Sequence, residues 1–309
     1  MARISQQIIT IKKGIALVKI LLLGENGQLG SSIKKRFKMS NAVTALSRKD
    51  IDLMETDRII KILKSHSPDI IINAAAYTNV DLAESNQESA YLINSKAINK
   101  IAEYSYRNKS LFIHYSTDYV FDGNNKNSYL ETDLENPINI YGKSKLEGEN
   151  VIKESECRYI IFRTSWVYSD IGNNFPKKIL DLASKKDNLK IVVDQIGSPT
   201  PADLISEITE ICIEKNYINS LYHLTSSGKT TRLDFAKYLI NGANIRGKKL
   251  KCAIDNLEPI LSKDTNSLAK RPKNSILDCT KLERKIGIKM PRWQENVDLF
   301  LNKYFGVAQ

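Results

Sequence analysis

Tyr141-Gly-Lys-Ser-Lys145 sets a phenol and an ammonium four residues apart. On a helix that spacing brings both to one face, with Cβ atoms about 5–6 Å apart. A tyrosine is a weak acid, with a pKa of about 10, and a nearby cation favours its phenolate and moves it toward working pH. By itself the pattern also describes many solvated helix surfaces. Two further elements sharpen it: Ser116-Thr117-Asp118 at the end of an apolar run, and a glycine-rich turn beginning at Gly24. Together the three describe one redox site.

Gly24-Glu-Asn26-Gly27-Gln28-Leu29-Gly30 has the spacing G-x-x-G-x-x-G, a variant of the dinucleotide fingerprint, lying between an apolar strand and a helix as that fingerprint requires. Its glycines let the backbone turn tightly and approach a pyrophosphate, which then sits at the positive helix N-terminus. After the second strand, where an NAD site carries an acid for the ribose 2′-hydroxyl, the chain has Ser47-Arg48-Lys49. Cations there suit a 2′-phosphate, so NADPH is the expected cofactor; Asp50 and Asp52, with Leu53 behind them, keep NADH open. Ala74, Ala75 and Ala76 follow Asn73 and let a cofactor lie close against a strand end.

The elements that must position these residues alternate. Val18–Leu23 reads as a short apolar strand, and Leu29, Ile33 and Phe37 then recur every four residues as one helix face. Val43–Leu46, Ile70–Asn73, Leu111–Ser116 and Tyr159–Phe162 read as further strands, with helices through Ile59–Leu63, Ala90–Tyr106 and the segment bearing Tyr141 and Lys145. This rhythm predicts an α/β fold: a Rossmann-type, doubly wound parallel sheet of six β/α repeats over residues 18–170. From about residue 171 to 309 the pattern becomes irregular, with Gly197, Pro199 and Pro201 in one loop and the strand Leu221–Leu224 after a helix. That stretch is expected to form mainly a smaller substrate-binding lobe, with one or two segments returning to the sheet. His114, inside an apolar strand, reads as a satisfied core histidine.

Composition narrows the class. The chain has 309 residues, 42% hydrophobic and 26% charged, enough for one large domain with a lobe. Its four cysteines stand far apart with no C-x-x-C spacing, indicating neither a zinc site nor a disulfide framework and fitting a reducing cytoplasm. The apolar run Ile15–Leu23 is too short to span a membrane and lacks a cleavage pattern, so neither export nor anchoring is expected. A net charge of +11 raises nucleic acid as a partner. No nucleic-acid-binding signature organises such binding, and a lysine-rich surface is expected instead. Residues 246–289 carry twelve Lys/Arg against five Asp/Glu, an excess that could also draw a phosphorylated small molecule.

Longer motifs carry a resemblance. Ser116-Thr-Asp-Tyr-Val-Phe-Asp-Gly123, Tyr141 through Glu149, Arg163-Thr-Ser-Trp166-Val-Tyr168, Gln195-Ile-Gly-Ser-Pro-Thr200 and Arg271-Pro-Lys-Asn-Ser-Ile-Leu-Asp278 resemble the extended short-chain dehydrogenase/reductases, and within them the dTDP-4-dehydrorhamnose reductase family. The matching segments span nearly everything from residue 18. The resemblance implies NADPH-dependent reduction of the C4 ketone of dTDP-6-deoxy-L-lyxo-4-hexulose. Thr117 would hydrogen-bond the ketone, Tyr141 would donate the proton, and Lys145 would hold the nicotinamide ribose and favour the tyrosinate. Asp118, Tyr119 and Trp166 match positions lining the sugar pocket, and Gln195 and Arg271 sit in loops where a charged fork could meet the nucleotide phosphates. Reductases of other nucleotide 4-keto-6-deoxyhexoses remain a near alternative. A non-catalytic NADP-binding partner, like the β subunit of methionine adenosyltransferase, is the alternative of a different class. Some relatives bind Mg²⁺ at a dimer interface, but no acidic cluster marks such a site, and monomer and homodimer both stay open. In proteins of this kind the nucleotide-binding strand begins almost at the initiator methionine, so residues 1–17 are expected to be a dispensable extension and a mis-assigned start. A docked N-terminal strand or helix is the rival expectation.

Overall fold

The computed structural model describes residues 12–13, 16–38 and 43–307. Residues 1–11 and 14–15 of the expected extension lie outside them, and its described remainder is a pairing of Lys12–Lys13 with Ala16–Leu17, separate from the main sheet.

Six parallel strands form that sheet: β1 (Ile20–Leu23), β2 (Val43–Leu46), β3 (Ile70–Asn73), β4 (Leu111–Thr117), β5 (Arg158–Thr164) and β6 (Ser220–His223), in the spatial order β2-β1-β3-β4-β5-β6. The strands β1, β3 and β4 are buried throughout, because helices cover both faces and continuous Ile/Leu runs suit a two-sided core. One face packs Leu22, Ile72, Ile113 and Phe162 with Ile33 and Phe37; the other packs Leu23, Ile71, Phe112 and Ile161 with Ile59, Leu63 and Ile101. Strand order reverses between β1 and β3, so the crevice at their carboxyl ends is the ligand-binding position of such a sheet.

The expected return to the sheet is made by a helix and a strand. A helix over Ala202–Glu214 packs on the helix α1 (Gln28–Phe37), where Ser32 donates to Asp203 (2.7 Å) and Arg36 pairs with Glu210 (2.7 Å). It leads into β6, which pairs with β5 from Ser220↔Ile160 to His223↔Arg163. A separate core of Tyr168, Phe235, Leu239, Trp293, Val297 and Phe300 holds the second lobe.

One helix departs from the expected regular run over 90–106. Gln87–Tyr91 and Ala97–Asn108 are joined by a π-helical turn, Leu92–Lys96. That turn aims Asn94 at the loop after β3: its Oδ1 accepts from the Tyr77 amide (2.9 Å), and its Nδ2 donates to the Tyr77 carbonyl (3.1 Å) and to Ser144 Oγ (3.0 Å). An inserted residue of this kind is frequent at functional sites, and here it ties a wall of the crevice to the helix carrying Tyr141.

Candidate active site

The helix over Ile140–Glu154, here α2, begins at Asn139, whose Oδ1 caps the Gly142 amide (2.8 Å) while its Nδ2 donates to the Lys270 carbonyl (2.8 Å). The first turn is thus fixed both to the backbone and to the second lobe. A Cβ at Gly142 would collide with the Tyr119 carbonyl oxygen, so α2 rests directly on the 3₁₀ turn Asp118–Val120. Further along, Glu149 takes a bidentate pair from Arg163 of β5 (2.8 and 2.6 Å), and Arg163 also reaches Glu135 (2.5 Å). Arg163 and Glu149 are fully buried, which explains why both belong to the motifs: they clamp α2 to β5 one turn from Lys145. Gly142→Ala is expected to lower Tm by a few degrees, about 1–3 kcal/mol of overpacking, and to lower kcat by tilting Tyr141. A thermal melt indistinguishable from wild type would show that the helix shifts freely.

On this helix Tyr141 meets Tyr119 edge-on (ring centroids 5.9 Å) and faces the Thr117 hydroxyl, which itself donates to Asp118 Oδ1 (2.9 Å). Asp118 is buried, and desolvation raises its carboxyl to about 6. Lys145, 1% exposed, donates to the Tyr115 carbonyl (2.6 Å) and lies 3.0 Å from His114 Nε2.

The proton on that last contact follows from donor counting. The Ala75 amide donates to Asn73 Oδ1 (3.1 Å), which orients the Asn73 NH₂ toward His114 Nδ1 (3.2 Å). Asn73 and His114 are register neighbours on β3 and β4. With Nδ1 accepting, a neutral imidazole carries its proton on Nε2, and a hydrogen bond to Lys145 then needs a lone pair on Nζ. Burial pushes the lysine down to about 7, and burial together with the neighbouring lysine holds His114 well below its ordinary range, so the ring is neutral and the amine can lose its proton near neutral pH. His114 is a core residue as expected, and it is also a partner of Lys145.

Lys145 does not draw Tyr141 toward its phenolate as its spacing led one to expect. Burial raises the Tyr141 phenol well above its ordinary value, the Thr117 hydroxyl opposes that rise, and Asp118 adds to it. The physical reason is desolvation, which disfavours the charged form of both groups.

A cavity of 540 Å³ runs from this pair to the glycine turn. Its walls include Gly24, Asn26, Gly27, Gln28 and Leu29, then Arg48, Asp52 and Leu53, then Ala74, Ala75, Ala76, Tyr141 and Lys145. Gly30 stands behind it, where a Cβ would strike the Gly24 carbonyl, and Ser47 turns its hydroxyl to Asp50 (2.6 Å). Gly24 has φ +84°, and a Cβ there would lie 2.8 Å from the Ala75 amide. No side chain caps the N-terminus of α1, and the hydroxyls of Ser116 and Thr164, which line the cavity, are buried without a hydrogen-bond partner. A long polar ligand with an anionic middle fits these features. Arg48 is largely exposed and pairs with Asp52 (3.1 Å) at the far end of the cavity. A larger cavity of 750 Å³ opens among Lys35, Asp203, Leu299 and Lys303, and has none of Tyr141, Lys145 or the glycine turn in its walls.

The residues expected to line a sugar pocket sit beyond the Thr117 end, outside the cofactor-sized cavity. Trp166 has φ +46°, and a Cβ at Gly197 would lie 2.5 Å from its ring, so the indole is wedged against the second lobe. Gln195 Nε2 donates to Ser262 Oγ (3.0 Å). Arg271 makes a fork to Asp81 (3.2 and 2.7 Å) and lies beside Tyr119. One cation had no sequence signal: Arg232 stacks its guanidinium 3.5 Å from the Trp166 ring centroid.

The family described as RmlD substrate binding domain matches residues 18–305. This chain belongs to that family. Among RmlD relatives, the dTDP-4-dehydrorhamnose reductase of Escherichia coli K12 is 37% identical over 296 residues, covering 93% of this chain and 98% of the relative. The crystal structure of dTDP-4-dehydrorhamnose reductase from Bacillus anthracis in complex with NADP superposes with a TM-score of 0.86 at 32% identity, over 93% of this chain and 99% of that one. The dTDP-4-dehydrorhamnose reductase structure from Clostridium acetobutylicum gives 0.87 at 34% identity, with the same coverage of both chains. The RmlD match and these structures carry the expected Rossmann-type fold, and the match begins where β1 approaches. Among the described residues no helix is long and apolar enough to cross a membrane.

Proposed function

We propose that the chain reduces the C4 ketone of dTDP-4-dehydro-L-rhamnose to dTDP-L-rhamnose, with NADPH as the cofactor. The observation that carries this reading is the continuity of one crevice, from the uncapped helix N-terminus at Gly27 to the buried Thr117–Tyr141–Lys145 cluster. When bound, the cofactor supplies hydride, and Gly24, Gly27, Ala75, Arg48 and Lys145 would hold it. Thr117 orients the ketone oxygen toward Tyr141. Reduction at a carbonyl needs an acid, and a phenol whose pKa is raised by burial keeps its proton until negative charge arrives on the neighbouring oxygen. Lys145 is then placed to take up or give a proton beside it, with His114 and the Tyr115 carbonyl fixing its nitrogen. Asp118, Tyr119 and Trp166 close the sugar end.

The test is NADPH oxidation with freshly prepared dTDP-4-keto sugar against the UDP- and GDP-linked analogues. Turnover with the dTDP substrate at a kcat/KM well above the others is expected; no turnover with any of them would overturn the reading.

The cofactor end makes a separate prediction. Charge-assisted contacts to phosphate contribute about 1.5–3 kcal/mol each, so Arg48→Asp is expected to erode NADPH preference about tenfold or more in kcat/KM while leaving NADH use intact. Equal kcat/KM for the two cofactors in the wild type would show that Arg48 reads no 2′-phosphate.

A further inference from the structure

Arg232 opens the helix Arg232–Ile245 of the second lobe, and its amide donates to the Gln195 carbonyl (3.3 Å). Its guanidinium lies 3.5 Å from the centroid of Trp166 and 5.0 Å from that of Phe175. The groups that act on it are Tyr119, Asp118 and Arg271, so it stands at the expected sugar chamber beyond Thr117. Among the described residues no carboxylate lies within ion-pair distance of it, and no acceptor takes a hydrogen bond from its five N–H groups. A cation held in a half-buried place with no ion pair or hydrogen bond, opposed only by the more distant Asp118 carboxyl, is unfavourable, and burial pulls this one down to about 10. Arg271, the motif arginine of the same chamber, differs: both ends of its fork are taken by Asp81. Gln195 is likewise tied to Ser262.

We infer that Arg232 is the residue that binds the diphosphate of the nucleotide-sugar substrate, with Trp166 as the platform that holds its fork edge-on to the chamber, and that Arg271 is an interlobe strut. This rests on the reductase reading. In the proposed substrate the diphosphate is attached to the sugar carbon across the ring from the ketone. With the ketone at Thr117 and Tyr141, the sugar passes Asp118 and Trp166 and its anionic group reaches Arg232. Stacking fixes the guanidinium plane and leaves its N–H edge free, the geometry in which arginine binds phosphate oxygens in pairs. A dianion there also relieves the repulsion between Arg232 and Arg271.

Calorimetric titration of dTDP and of thymidine into NADP⁺-saturated protein tests this, with wild type, Arg232→Gln and Arg232→Lys. Arg232→Gln is expected to weaken dTDP about tenfold or more and leave thymidine unchanged, with Arg232→Lys intermediate because it keeps charge and loses the fork. Unchanged dTDP affinity in Arg232→Gln overturns the assignment. So does an equal loss for dTDP and thymidine, which would make Arg232 a wall for Trp166 alone; Arg232→Lys settles the point if the glutamine variant melts early. The two readings separate through the wild type: turnover of the keto sugar with a normal Arg232→Gln titration removes Arg232 and leaves the reductase, whereas no turnover and no dTDP binding removes both.

Discussion

Tyr141→Phe is expected to lower kcat by at least about a hundredfold while leaving the Kd for NADPH within about twofold of wild type. The phenylalanine ring keeps the edge contact with Tyr119 and the packing of the helix on the Asp118–Val120 turn, so the crevice keeps its shape. What disappears is one proton, used only as charge reaches the substrate oxygen, and positioned acids of this kind contribute typically 10²–10⁴-fold. Single-turnover rates and a cofactor fluorescence titration separate the two quantities. Near-wild-type turnover would remove Tyr141 from the acid role, and a parallel loss of cofactor binding would show that the ring shapes the nicotinamide end.

Lys145→Met is expected to damage both parameters: kcat by about a hundredfold or more, and cofactor affinity by about tenfold. Methionine fills the same volume, so the loss is chemical. It leaves the Tyr115 carbonyl and the His114 Nε2–H without their partner in a buried place, and removes an amine that lines the cavity together with Tyr141. A fall in kcat alone would deny the lysine its part in holding cofactor. His114→Gln offers a companion measurement, because a neutral partner is kept while the tautomer constraint is lost; it should shift the pH profile of kcat/KM more than its plateau. The direction follows from the lysine. Its folded pKa near 7 lies below the ordinary value, so the amine protonates only as pH falls through that range.

Much of this site could be read from spacing alone. Gly24–Gly30, Ala74–Ala76 and the Tyr141–Lys145 pair are local patterns, and the structure brings them round one cavity because each lies at a strand end or a helix start. What spacing could not supply was anything decided by burial or by distant partners. The phenol's pKa depends on how much water Tyr141 loses, which no tetrapeptide encodes. Asn73, His114 and Lys145 are far apart in the chain, and only the β3–β4 register and the position of α2 make them one chain of hydrogen bonds. Arg232 sits at an ordinary-looking helix start, and nothing in Thr-Thr-Arg-Leu-Asp announces that it will lie on Trp166. The π-helical turn at Leu92–Lys96 hides within a run whose periodicity reads as a regular helix.

The edge position of β6 has a bearing on how the protein is made. The sheet's last strand enters the chain some fifty residues after β5 ends, and the intervening residues build part of the other lobe. During synthesis the half that carries β1 to β5 therefore waits with Ile160 and Phe162 uncovered on one side until residue 223 has left the ribosome. At about 5–20 residues per second, that is an interval of several seconds in which an apolar strand edge is open to other chains. A nascent chain stalled shortly after Thr164 should be a far better client for chaperones than one stalled beyond Leu224, and the two lobes mature together rather than in turn.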